Sequence, residues 1–343
     1  MARYADALAL PESWYFVATS ADVPPGTLRA VQLGGRALVL WRGRGGALAL
    51  QSAFCPHLGA HLGHGGRVRD DAVECPFHGF RFDGAGQCVA TGYDTKPPPT
   101  ARLAGLPVIE RHGLVLAWLG DAPPTWTPPD VSVDGWTDFQ FHQWSLRGHP
   151  QETTENSVDI GHFGWVHGYR DVTATAPLAT DGPHLRSQYA FTRPLVRGWA
   201  RPAVREAIDV HVWGLGYSRV EVADQSVGAR FRLLVLPTPT AVDALALHIA
   251  LSVYTPGRLP DARWFWRWLP RWLIEAVVQP QLVQVYRGEV EQDFDIWKHK
   301  AYLPRPALAD GDGPVGRYRR WARQFYPASP SDASGSADAD ATA

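Results

Sequence analysis

The stretch CPHLGAHLGHGGRVRDDAVECPFH spans residues 55–78. It carries two thiols and two imidazoles in two short segments that each open Cys-Pro: Cys55-Pro-His57 and, seventeen residues later, Cys75-Pro-Phe-His78. Thiolates are soft ligands suited to iron–sulfur chemistry, and imidazole is a common iron ligand. A [2Fe–2S] cluster in which two histidines replace two cysteines on one iron has this donor set, and the replacement raises its reduction potential. The pattern predicts Cys55 and Cys75 on one iron and His57 and His78 on the other. A structural zinc site of Cys2His2 type is the rival. Its usual spacing keeps the cysteines together and the histidines together, whereas here each pair mixes the two.

Upstream, WYFVATS, LRAVQLGG, RALVLWRG and ALALQSAF are short apolar runs separated by Pro24-Pro25, Gly34-Gly35 and Gly45-Gly46. That is the pattern of a small antiparallel domain. Downstream, FRFDGAGQCVAT turns at Asp83-Gly84, and PVIERHGLVLAWLG predicts a hairpin at His112-Gly113. DAPPTWTPPD, residues 121–130, reads as a rigid linker, so a first domain is expected over 14–121 and a second over 122–326. The second opens on the strand FQFHQWSLRG and continues with strand-like HLRSQYAFTR, AIDVHVWGLGYSRVEVA, ARFRLLVLPTPT and DALALHIALSVYTP. A helical stretch from about Ala262 to Lys300 is expected to be interrupted at Pro270 and Pro280. GRYRRWARQFY is expected to form a last short helix. Residues 327–343, PASPSDASGSADADATA, read as a disordered tail by composition.

The length, 343 residues, fits about two domains, and 45% hydrophobic residues supply sizeable cores. A net charge of −1 gives no global field for nucleic acid or an anionic membrane. Three cysteines, two of them claimed as ligands, make no disulfide framework and point to a reducing, cytoplasmic compartment. The third, Cys88, is assigned no role. No basic segment leads into a long apolar core at the N-terminus, and no run of about eighteen apolar residues exists, so neither a signal peptide nor a transmembrane helix is expected.

A second concentrated site is Glu155-Asn156-Ser-Val-Asp159-Ile-Gly-His162-Phe-Gly-Trp-Val-His167. Non-haem iron oxygenases hold iron with two histidines and one carboxylate, leaving positions open for oxygen and substrate. His162 and His167 are the candidate imidazoles. Spaced five apart, they cannot share a face of an ideal helix, so the helix must end or distort after His162; Gly161, Gly164 and Gly168 allow that. Asn156, Asp159 and His162 step by three and are expected along one helical face. A third ligand must come from far along the chain. EQDFDIW, residues 291–297, offers Glu291, Asp293 and Asp295, against the plainer reading of a solvated acidic face.

With both motifs in place, residues 14–300 resemble the oxygenase component of Rieske non-haem iron oxygenases. The ENSVDIGHFGWVH block matches that family's Asn-x2-Asp-x2-His-x4-His signature at every fixed position. The resemblance implies an α+β fold: an N-terminal all-β Rieske [2Fe–2S] domain, then a helix-grip catalytic domain of antiparallel sheet plus helices. It implies a mononuclear Fe(II) held by His162, His167 and a late carboxylate, Asp293, with Asp295 the alternative. It makes Asp159 the link to a Rieske ligand histidine of a neighbouring subunit, and so implies a ring-shaped homotrimer. Asn156 is the candidate iron-facing neighbour. CPHLGAHLGHGGRV, ECPFHGFRFDG and DIWKHK look most like the Neverland-type cholesterol 7-desaturases and the 3-ketosteroid 9α-hydroxylases.

The implied reaction uses O2 and electrons from a separate ferredoxin or flavin reductase, fed by NAD(P)H, to hydroxylate, desaturate or oxidatively demethylate a sterol or steroid. An aromatic or other small polycyclic substrate is the alternative. An electron-transfer Rieske protein without oxygenase activity is the rival class, and it has no use for the His162/His167 pair. Gly311-Asp-Gly313-Pro-Val-Gly316 matches GxGxxG formally, but it follows no strand and contains Pro314, so it reads as a loop. Arg317, Arg319, Arg320 and Arg323 read as a solvated helix face or a ferredoxin dock. ARWFWRWLPRWLIEAVV, residues 262–278, interleaves tryptophan and arginine. It reads either as packing or as a contact peripheral to a membrane.

Overall fold

The computed structural model describes residues 3–194, 203–255, 266 and 268–327. All of the 327–343 tail beyond Pro327, and Arg263, Trp264 and Arg267 of the aromatic stretch, lie outside them.

The first half is all β apart from single turns. Its strands are β1 (Ser13–Thr19), β2 (Leu28–Leu33), β3 (Arg36–Arg42), β4 (Leu48–Ser52), β5 (Arg67–Arg69), β6 (Ala72–Glu74), β7 (Arg81–Asp83), β8 (Cys88–Ala90), β9 (Gly105–Leu106), β10 (Val108–Arg111) and β11 (Leu114–Leu119). They form three antiparallel sheets in the orders β1-β11-β10, β2-β3-β4-β9 and β5-β6-β7-β8. The expected turn at His112-Gly113 joins β10 to β11, both residues taking positive φ (37° and 82°). Asp83 caps its turn by accepting from the N–H groups of Ala85 and Gln87. The three-residue strands β5 and β6, inside the cysteine–histidine stretch, are too short to show a period in sequence.

The second half is one seven-stranded antiparallel sheet in the order β12-β18-β17-β16-β15-β14-β13. Its strands are β12 (Gln140–Leu146), β13 (Arg170–Asp181), β14 (His184–Pro194), β15 (Ala203–Trp213), β16 (Tyr217–Asp224), β17 (Ala229–Ala241) and β18 (Ala244–Val253). AIDVHVWGLGYSRVEVA is two of these, β15 and β16, folded back at Gly214, whose φ is +61° and where an added Cβ would meet Ser13 Oγ at 2.2 Å. The edge strand β13 was not expected. RDVTATAPLATD is mostly exposed, with irregular register, and its Pro177 is tolerated because an edge strand leaves one side unbonded.

Five helices are labelled: α1 (Tyr4–Ala7), α2 (Pro150–Glu155), α3 (Gly161–Trp165), α4 (Gln279–His299) and α5 (Val315–Ala322). Pro270 stands immediately before a helical turn, Arg271–Leu273, and most of the helical stretch expected upstream of it, from Ala262, lies outside the described residues. Pro280 does not interrupt it: a π turn, Ile274–Val278, leads into α4, where the N–H missing at Pro280 is accommodated in the first turn. α4 grips one face of the sheet, burying Val283 and Tyr286 against Phe231, Leu233 and Leu251, and Trp297 against Leu245 and Leu247.

α5 buries Val315, Tyr318 and Trp321 against Val158, Leu178 and Val212. Its arginines are not one solvated face. Arg319 turns inward to Glu155, Nε to Oε2 at 2.7 Å, and Arg317 donates to the Leu178 carbonyl, while Arg320 and Arg323 stay exposed. The two halves share a core in which Trp14, Phe16 and Leu116 meet Trp213, Tyr217 and Leu234.

Candidate metal centres and cavity

The two Cys-Pro segments are the β4–β5 and β6–β7 connections, and they are built alike. Cys55 N–H donates to the Ala60 carbonyl and Gly59 N–H returns to Cys55; Cys75 N–H donates to Phe80 and Gly79 N–H returns to Cys75. Gly59 and Gly79 both need positive φ for this (76° and 63°). The repeated geometry turns each cysteine inward and each histidine to the tip. Cys55 and Cys75 are buried, and the His57 and His78 rings lie 4.7 Å apart by centroid near the surface, His57 stacked on Phe80. Burial, with the Cys75 thiol beside it, pushes the Cys55 thiol up to about 11. Burial beside a second cysteine thus disfavours the Cys55 thiolate unless a positive charge sits next to it. Iron supplies that positive charge, so the donor set fits a cluster. Cys88 packs half-buried on the same core and donates to the Ala90 carbonyl.

The second site lies between α4 and the sheet. Asn156, Asp159 and His162 do not share one helix: α2 stops at Glu155, a turn carries residues 156–160, and α3 begins at Gly161. Gly311 and Gly313 of the GxGxxG-like loop back this turn and the start of α3, and a Cβ on Gly313 would meet the Val158 carbonyl at 2.4 Å. α3 winds for one turn past His162. The chain then reverses at Gly168, with Tyr169 N–H returning to the Phe163 carbonyl at 3.0 Å. The reversal places the His162 and His167 rings 5.1 Å apart by centroid.

Asp293 comes to the same point from α4. Ligand atoms of His162, His167 and Asp293 all lie within 4.8 Å of one another, the one such trio among the described residues. Asp295, two positions on, is exposed, and Glu291 is taken up by Trp144 and Arg287.

Each donor is held from behind. His162 Nδ1 meets the Asp159 main-chain carbonyl, and His167 Nδ1 faces Gln292 Oε1 at 3.3 Å, which leaves both Nε2 atoms toward the centre. Asn156 Nδ2 donates to Asp293 Oδ2 at 3.2 Å. Burial raises the Asp293 carboxyl to about 6, with His162 opposing the shift. For Asp159 burial also acts upward, but hydrogen bonding and charge from His162 outweigh it and the carboxyl sits below its usual range. A cation at the centre would compensate the buried Asp293 carboxylate, so this trio fits a metal. Gln292 is a holding residue to which the sequence reading assigned no role. Only its place beside Asp293 signals the role.

Two adjacent lobes flank the trio, and Phe163, Ile208, Val220, Val290 and Asp293 line both. One, about 160 Å³, is walled by apolar groups that include Val210, Val235, Leu247 and Trp297. The other, about 150 Å³, ends on Tyr169, Glu206, Tyr286 and Glu289.

A Rieske [2Fe-2S] domain model matches residues 13–106, and a 3-ketosteroid 9alpha-hydroxylase C-terminal domain model matches residues 119–326. The fold and the paired donor sets define a Rieske oxygenase, an enzyme that carries a [2Fe–2S] cluster and a mononuclear iron and uses O2. Within that class the chain belongs to the 3-ketosteroid 9alpha-hydroxylase family.

It is 27% identical over 347 residues to cholesterol 7-desaturase nvd 1 of Ciona intestinalis, covering 92% of this chain and 68% of that one. It is 27% identical over 330 residues to a 3-ketosteroid-9-alpha-monooxygenase oxygenase component of Rhodococcus rhodochrous, covering 91% and 82%. The fold is shared with a Pseudomonas putida CBB5 NdmA mutant bound to theobromine, with a TM-score of 0.65, 15% identity and coverage of 90% and 89%. It is shared also with dicamba monooxygenase bound to dicamba, with a TM-score of 0.63, 20% identity and coverage of 91% and 96%. The chain is an oxygenase, not a simple electron carrier, and as the oxygenase component of such a system it draws electrons from a separate ferredoxin or reductase. No helix among the described residues is long and apolar enough to cross a membrane.

Proposed function

We propose that this chain hydroxylates, desaturates or oxidatively demethylates a sterol or steroid. The observation that carries the reading is an apolar two-lobed cavity opening on the His162–His167–Asp293 trio, in a chain whose relatives are named for cholesterol and ketosteroids. In this reading residues 14–121 form the Rieske unit, with Cys55 and Cys75 on one iron and His57 and His78 on the other. Residues 122–326 form the catalytic unit, with His162, His167 and Asp293 on the mononuclear iron. That iron supplies O2 activation.

The chain's own groups do the rest. Gln292 and the Asp159 carbonyl fix the two imidazoles, and Asn156 holds one Asp293 oxygen. The apolar walls exclude water and place a C–H bond at the centre. The Asp159 side chain, one-third exposed, faces out beside His162 and is assigned the link to a neighbouring subunit's Rieske histidine.

A homotrimer with donor and acceptor on different subunits is part of the proposal. Its support is two exposed apolar surfaces: Phe54, Leu58, Phe77 and Tyr93 around the cluster loops, and Trp165, 93% exposed, on α3. Trp268 and Trp272, also exposed, support a peripheral membrane contact, which liposome co-sedimentation tests; no binding removes it.

The deciding experiment is turnover. Iron-replete protein is supplied with NADH, a surrogate ferredoxin and reductase, and a pool of sterols, ketosteroids and aromatic acids, and mass changes are read. A steroid gaining one oxygen or losing two hydrogens supports the reading; an aromatic acid changing instead replaces it.

A further inference from the structure

The far end of the second lobe is polar in a way the metal site does not use. Tyr286, Glu289 and Asp293 fall at i, i+3 and i+7 on α4, so one helix face carries all three into the same lobe. Tyr286 is 8% exposed, and its hydroxyl is buried with no hydrogen-bond partner. A buried hydroxyl without a partner is unfavourable, and Tyr286 is one of the residues that line this lobe. Arg193 lies over the Tyr286 ring, 5.9 Å from its centroid.

That guanidinium is already committed. Its Nη2 and Nε lie 2.6 and 3.0 Å from Glu206 Oε1, and its Nη1 lies 3.5 Å from Glu289 Oε1. Two carboxyl groups thus face one buried cation, and among the described residues no lysine or arginine side chain lines this lobe. A ligand carboxylate brought here finds Arg193 already paired and two acid side chains beside it, in a buried place that disfavours a further negative charge. A hydroxyl or ketone oxygen accepts from the Tyr286 O–H, and a hydroxyl can donate onward to a carboxyl oxygen. The seven residues from Tyr286 to Asp293 rise about 10 Å along the helix, a separation that a fused-ring skeleton spans and a single ring does not.

We propose that Tyr286, with Glu289 beside it, anchors a neutral oxygen function, hydroxyl or ketone, at the end of the substrate remote from the oxidised carbon. We infer that the same pocket rejects carboxylates. The proposal deepens the steroid reading and rests on it for the skeleton, but not for the polar chemistry.

The test is anaerobic equilibrium binding, with no turnover, of three ligands on one fused-ring steroid skeleton: an alcohol or ketone, the hydrocarbon lacking that oxygen, and the matching carboxylic acid. Wild type should bind the oxygenated ligand about tenfold more tightly than the hydrocarbon, and the acid most weakly. In Tyr286→Phe the ratio between oxygenated ligand and hydrocarbon should fall below about twofold. Glu289→Gln should keep that ratio while strengthening the acid's binding. The visible Rieske spectrum of each variant reports that it has folded and loaded.

A ratio unchanged in Tyr286→Phe, or both ligands weakened equally, overturns the anchor, as does a wild type that prefers the acid. If the wild type binds no steroid but binds an aromatic compound, the substrate class fails separately. The same trio of ligands on the aromatic skeleton then decides the anchor by the same ratio.

Discussion

At His162 and His167 the rear nitrogen determines what the front one can do. The Asp159 carbonyl and Gln292 Oε1 each hold an Nδ1, and Asn156 holds a carboxylate oxygen of Asp293. Asp293→Asn should therefore lose the mononuclear iron while keeping the visible spectrum of the cluster. Asp295→Asn, altered at an exposed position, should keep both. Metal analysis beside the absorption spectrum separates these outcomes, and mononuclear iron retained in Asp293→Asn would remove the assignment. Gln292→Leu leaves all three donors in place but removes the Gln292 contact from the His167 ring. Loss of such an orienting partner typically lowers metal affinity by about 10–100-fold, so iron should be stripped by a chelator at correspondingly lower concentration. Unchanged chelator resistance would show that Gln292 does not hold the ring.

The elements around the site were legible to different degrees. The paired Cys-Pro loops were readable because the same residue types recur in two segments, and the structure builds both segments alike. The α2–α3 break was only half readable. A step of three suggested one face, but Gly161 and the Gly313 loop behind it make a turn that the step alone does not distinguish from a helix. The edge strand β13 left no apolar alternation to find, because most of it is exposed.

α2 itself carries a buried acid that sequence reading passed over. Glu152 is 4% exposed, its Oε1 has no partner, and burial raises its carboxyl to about 7, with Lys300 opposing. The folded state then holds a proton that the unfolded chain has released above about pH 4.5. By linkage, stability falls as pH rises between about 4.5 and 7, with the full cost present above that. Glu152→Gln should therefore raise the melting temperature at pH 8, by a free energy of at most about 3 kcal/mol, and leave it nearly unchanged at pH 4. Equal shifts at both pH values would refute the titration.

At the scale of the whole molecule, the two halves of the chain are joined by a common core, Trp14 and Leu116 against Trp213 and Leu234. The sequence could place a proline-rich linker between them but not that contact, since a shared core shows only as apolar residues in both. The exposed apolar surfaces at the cluster loops and at Trp165 were equally silent in sequence, for the same reason.

If those surfaces meet head-to-tail in a ring, each interface is heterologous, and a cluster on one subunit serves the iron of the next. Two disabled chains then repair each other. Cys75→Ser removes the cluster and keeps the mononuclear iron; Asp293→Ala does the reverse. Each assembled alone should be inactive. Assembled together in equal amounts, an active centre needs an intact iron on one subunit and an intact cluster on its donor neighbour. Random mixing makes that about a quarter of all centres, so about a quarter of wild-type turnover should return on co-assembly, with none when separately purified oligomers are mixed without exchange. Electron transfer confined within one subunit would give no recovery in either mixture, because no single chain then holds both intact centres. Trp165→Ala in both chains should lower the recovered activity if α3 lies at the contact, and leave it unaltered if the surfaces do not meet.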